Sequence, residues 1–126
     1  MWGKQIAEVS HMTETIVLPQ AVGVGKEKEI ETLLADPWRK LVLIRLRAGA
    51  FLADHSAKFP ITIHAVLGHG LLNVAGRNYA LSPGVIVPVD AHVIHSVRAE
   101  PELAILVTFF RQTEAESGPD TSARFD

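Results

Sequence analysis

Short apolar runs, each closed by turn residues, follow one another from Leu41 to Phe110, and this rhythm limits the chain to one fold class. Side chains alternate across a strand, whereas a helix repeats its face every 3.6 residues. In the run from Leu41 to Arg47, Val42, Ile44 and Leu46 share one face, and Arg45 and Arg47 take the other. In the run from Ile61 to Leu67, Ile61, Ile63, Ala65 and Leu67 share a face, with Thr62, His64 and Val66 opposite. The segments Leu71 to Val74 and Tyr79 to Leu81 flank Ala75-Gly76-Arg77-Asn78, which reads as a hairpin turn with Gly76 and Asn78 suited to positive φ. Val85 to Val89 and Leu103 to Phe110 are apolar at both parities, which predicts strands covered on two sides, by a barrel core and by a second layer or subunit. Many short strands with regular turns make an all-β sandwich or barrel.

Residues 26–38 admit two readings. Ile30, Leu33 and Leu34 fit a helical stripe, but Asp36-Pro37 followed by Trp38 reads as a turn. The turn makes Glu27 to Leu34 the first arm of a hairpin with Arg39 to Arg47, and this reading is preferred because so short a helix is marginal alone. Trp38 then reads as a packing plug. At 126 residues the chain holds one domain. The expected layout is an N-terminal segment over 1–15, covering an edge or exchanged in a dimer, a barrel over 16–111, and a polar tail over 112–126.

A net charge of −2 gives no broad field for nucleic acid or anionic lipid. No apolar run approaches the roughly 20 residues that span a bilayer. The absence of cysteine excludes disulfides, thiolate metal sites and a Cys nucleophile, and suits a reducing cytoplasm. The expectation is a cytoplasmic protein with neither nucleic-acid nor membrane partner.

Two histidines sit in glycine-and-turn frames. Gly49 is followed by five residues and then His55, and the next strand runs to Gly68; Pro83-Gly84 precedes His95-Ser96-Val97 by an apolar strand. Neutral imidazole is a good ligand for Zn, Fe, Ni or Cu, and equally a hydrogen-bonding group for a ligand, a water or another imidazole. Strand parity sets His64 opposite the Ile61 face, unless a bulge after Pro60 reverses it. His92 lies in a turn three residues before His95, and His69 follows the turn at Gly68. Asp54 and Asp90 are the carboxylates nearest in sequence, but Asp54 adjoins His55 on the other strand face and Asp90 suits a turn. Arg45 and Arg47 read as a solvated strand face. Ser56 and Ser96 lack a nucleophile frame.

These frames resemble the two motifs of the cupin superfamily over Leu41 to Phe110. The first is usually Gly, five residues, His-x-His, three or four residues, Glu, six residues and Gly; Gly49, His55 and Gly68 match, while Ala57 stands at the second His and Ile61 at the Glu. The second is usually Gly, five residues, Pro-x-Gly, two residues and His; Gly84 and His95 match, while Asp90 and His92 stand at the Pro and the Gly. The resemblance implies a cupin-type jelly-roll β-barrel (double-stranded β-helix), assembled as a homodimer. It also implies a site of three His and one Glu facing inward, of which this chain keeps His55 and His95, with His64 and His92 as weaker candidates. A divalent transition metal (Zn, Fe, Ni or Mn) would lack ligands there, and a metal-free pocket is preferred. The expected function is small-molecule binding in a barrel pocket around His55, His95, Ile61 and Ala57. The alternatives are a metal-dependent dioxygenase or isomerase, and a dimerisation or sensor module without catalysis.

Overall fold

A computed structural model describes residues 14–111; the expected polar tail at 112–126 and nearly all of the expected N-terminal segment lie outside the described residues. Seven strands carry the fold: β1 (Lys28–Ala35), β2 (Arg39–Leu46), β3 (Phe51–His55), β4 (Ile61–Val74), β5 (Arg77–Leu81), β6 (Ile86–Val89) and β7 (His95–Phe110). No helix among the described residues is long and apolar enough to cross a membrane.

All strand pairs are antiparallel, and β4 and β7 organise them. The second half of β7 lies between β2 and the first half of β4, which also pairs with β6, and β1 borders β2. The first half of β7 lies between β3 and the second half of β4, which also pairs with β5. Two long strands therefore pass from one sheet into the other and close a barrel, as the alternating runs predict, on the jelly-roll plan that the resemblance implies. Leu46, Ile63, Leu72, Leu81, Leu103 and Ile105 fill its interior, each all but inaccessible to solvent.

The passage of β4 over β7 is made by glycine. The ladder breaks register between Ala65 and Leu67 and again between Gly68 and Gly70. A methyl group on Gly70 would stand 2.5 Å from the Arg98 carbonyl oxygen, and one on Gly68 would press on the Glu102 carbonyl. Backbone meets backbone here with no room for a Cβ.

Residues 28–46 form the hairpin reading of the two considered, β1 against β2. Asp36 closes its turn: Oδ1 accepts the amides of Trp38 and Arg39, both at 2.9 Å. Trp38 is 52% exposed and plugs nothing, because the turn carries it outward. Arg47 also departs from expectation. Its side chain is only 11% exposed, with Nη1 2.6 Å from Glu29 Oε1. Nε and Nη2 donate to the Gly23 and Val22 carbonyls at 2.9 and 2.8 Å. It staples the segment before β1 onto β2, whereas Arg45 keeps a looser 3.3 Å contact with Glu31.

Two further details differ from the sequence reading. The β4–β5 turn places positive φ at Ala75 (51°) and Gly76 (87°), not at Asn78. Asn78 is a strand residue opposite Asn73, whose Nδ2 donates to Asn78 Oδ1 at 2.8 Å. Asn73 Oδ1 also accepts the Gly76 amide at 3.1 Å, so an asparagine outside the turn holds it. The other concerns β6, which is covered on one face only: Ile86 is 57% exposed and Pro88 is exposed, because β6 pairs with β4 alone among the described residues. Leu103 to Phe110 differs because β7 has neighbours on both edges; Leu103, Ala104, Ile105 and Val107 are buried, and Leu106 and Thr108 are half-buried.

Candidate functional site

A cavity of about 290 Å3 opens between the two sheets. It lies where β2 begins, β3 ends and β4 begins, and both ends of β7 reach it, through His95 and through Phe109 and Arg111. Its walls are apolar, with Ile44, Ile63, Val97, Ile105 and Val107 among them. This size is at the lower end of ligand pockets, which run from about 300 to 1,000 Å3.

The β3–β7 ladder places His55 directly opposite His95. Their ring centroids are 4.2 Å apart at an interplanar angle of 61°, an edge-to-face contact. The two rings are anchored alike. His55 Nδ1 lies 2.9 Å from the Ala53 carbonyl oxygen, and His95 Nδ1 lies 3.0 Å from that of Val93. A carbonyl oxygen only accepts, so each Nδ1 carries the proton and donates it. The neutral rings are then both Nδ1–H tautomers, each with an unshared Nε2 lone pair. The two environments differ: His55 is exposed, whereas His95 is 2% exposed.

Burial holds the His95 imidazole below the ordinary histidine range, and the neighbouring His55 lowers it further, against the opposing pull of the Val93 carbonyl. A depressed folded pKa favours the neutral ring, so its contribution to stability is complete above the unfolded value of about 6.5. As pH falls below that value the unfolded chain takes up a proton that folded His95 refuses, and stability declines until the folded pKa is passed. We expect the urea midpoint to fall as pH is lowered from 7 towards 5, and to fall less in His95→Gln. Equal slopes in the two proteins would contradict this.

Ala57 and Ile61 line the same cavity as the two imidazoles. His64 does not: it pairs with Ile86 and Leu106 on the outward parity, so it is no candidate metal ligand alongside His55 and His95. His92 is likewise off the cavity wall, being exposed with φ 69° in the turn before β7, and its amide donates to the Ala57 carbonyl at 2.7 Å. Asp54 and Asp90 are exposed and also off the wall. The sequence reading missed Lys40, Lys58 and Arg111, which do line the cavity. Lys40 was within reach, since it shares the parity of Val42, Ile44 and Leu46; Lys58 and Arg111 lie beyond strand ends, where no period speaks.

No protein-family profile matches the sequence, and no curated protein matches it. Solved structures do. An RmlC-like cupin from Desulfovibrio desulfuricans superposes with a TM-score of 0.70 at 21% identity, over 79% of this chain and 97% of that one. The chain has the cupin fold. KdgF from Halomonas sp. gives a TM-score of 0.63 at 21% identity, over 74% of this chain and 86% of its own. Salicylate 1,2-dioxygenase from Pseudoaminobacter salicylatoxidans gives 0.64 at 19% identity, over 70% of this chain but 26% of the dioxygenase.

The four-donor metal site expected of a cupin does not fit this cavity. Two of its positions are Ala57 and Ile61, which carry no donor atom, and no three His, Cys, Asp or Glu side chains among the described residues are grouped to hold a metal. Two imidazoles fall short of the three or four protein ligands that hold zinc.

Proposed function

We propose that this cupin binds a small molecule, with His55 and His95 fixing its orientation against the apolar walls of the cavity. One observation carries the reading: two backbone-anchored imidazoles meet at 4.2 Å in a cavity where Ala57 and Ile61 present only hydrocarbon. In their neutral Nδ1–H form the rings offer acceptors, to which a hydroxyl or N–H on a ligand can donate. No step of this reading runs through a metal. We place the protein in the cytoplasm as a homodimer, with β1, the outermost strand among the described residues, and its exposed Ile30 meeting a second copy.

A second reading is favoured by the depressed His95 pKa. A ring that stays neutral, with its tautomer fixed by the Val93 carbonyl, is suited to take a proton from a bound substrate as general base.

Ligand-observed NMR of a small-fragment collection tests binding. Fragments are expected to bind the full chain and to be lost in Ile44→Trp, which fills the cavity, provided circular dichroism shows the variant folded. Absence of any bound fragment, or binding that persists in the folded variant, would overturn the reading.

A further inference from the structure

We infer that the cavity takes a small organic anion, a carboxylate on an apolar body, with Lys40, Lys58 and Arg111 holding the carboxylate. This rests on the small-molecule reading above and adds the class of ligand. The charged residues lining the cavity are Lys40, Lys58 and Arg111, and no Asp or Glu lines it. That bias runs against the composition, since the chain has 14 acidic residues and 12 basic ones.

Away from the cavity, three arginines are paired with carboxylates, whereas Lys26, Lys28, Arg77 and Arg98 meet none among the described residues. Arg39 meets Asp36 at 2.9 Å, Arg45 meets Glu31 at 3.3 Å and Arg47 meets Glu29 at 2.6 Å. Among the described residues, none of the three lining cations has a carboxylate within 4 Å. Asp36, whose backbone carbonyl accepts from Arg111 Nη1 at 2.8 Å, turns its carboxylate to Trp38 and Arg39. The remaining guanidinium donors of Arg111 have no protein acceptor among the described residues. The two ammonium groups lie over aromatic rings: Lys40 Nζ is 5.6 Å from the centre of Phe109 and Lys58 Nζ 5.5 Å from that of Phe59.

The three come from separate parts of the chain, the start of β2, the loop after β3 and the residue after β7. Three unpaired cations beside an apolar hollow match a molecule with charge at one end and hydrocarbon at the other. Guanidinium and ammonium donors bind carboxylate strongly by charge-assisted hydrogen bonds. The hollow of about 290 Å3 limits the body to about one ring or a short alkyl chain.

Calorimetric titration of the full chain decides this, with benzoate, phenylacetate and hexanoate against the matching amides, and with inorganic phosphate. At least one acid is expected to bind about tenfold or more tightly than its amide, and to weaken as salt rises, while the amide does not. Lys40→Met and Arg111→Met, which keep an apolar stem, are expected to weaken the acid by about tenfold and leave the amide unchanged. If either variant fails to fold, the acid-to-amide ratio and the salt dependence of the natural chain still decide. Equal binding of acid and amide would overturn the anion inference and leave the pocket reading standing. Binding of neither would sink both. Phosphate binding as tightly as the acids would also overturn the inference, since it has no apolar body.

Discussion

Gly68→Ala is expected to cost about 2–5 kcal/mol, a large part of the roughly 5–15 kcal/mol that holds a domain folded. Two effects add. The residue has φ 75°, where a Cβ costs roughly 1–2 kcal/mol. The new methyl group also meets the Glu102 carbonyl, which is backbone and cannot rotate away. Forcing atoms into a packed site costs about a further 1–3 kcal/mol. Gly49→Ala isolates the first effect, because Gly49 has φ 70° with nothing within 4 Å of the added carbon. Urea denaturation of both variants measures the difference. A Gly68→Ala midpoint equal to that of Gly49→Ala would mean that the crossing of β4 over β7 is looser than described.

The Ala57→His/Ile61→Glu double variant is expected to acquire a stoichiometric divalent metal, since it adds two donors to the two imidazoles of the cavity. Both positions line the cavity with His55 and His95, so the exchange brings four donors to one space. Without metal the variant is expected to lose about 2–5 kcal/mol, because Ile61 is 4% exposed and a carboxylate there loses both its packing and its water. Metal at about 100 times its dissociation constant returns about 2.7 kcal/mol by linkage. Elemental analysis after dialysis, with thermal unfolding with and without zinc or nickel, reads both effects. A variant that folds but takes up no metal would show that the four positions do not converge.

The barrel was legible because alternation is a property of single strands, and single strands are what sequence displays. Parity correctly separated Ile61 and Ile63, which face the cavity, from His64, which does not. It was silent where partners matter. Val85 to Val89 and Leu103 to Phe110 look equally apolar, yet one is an edge strand and the other has neighbours on both sides. Arg47 looked like any exposed strand cation because its carbonyl partners Gly23 and Val22 lie 24 and 25 residues earlier. The imidazole pair was expected from its glycine frames, but the shared Nδ1 anchoring depends on carbonyls two residues back whose direction no sequence pattern encodes. The cationic rim escaped notice because two of its three members lie outside any strand.

The doubling back of β7 has a mechanical consequence. His95 stands at one tip of this strand and Arg111 just past the other, and the turn-over between them lies at the far end of the barrel, against Gly68 and Gly70. The arrangement works like tongs, whose gape is set at the hinge and felt at the tips. A substitution at that remote hinge that still permits folding is expected to change the spacing of imidazole and guanidinium without touching either. If the cavity binds as proposed, its selectivity is expected to respond to a change at the opposite pole of the protein.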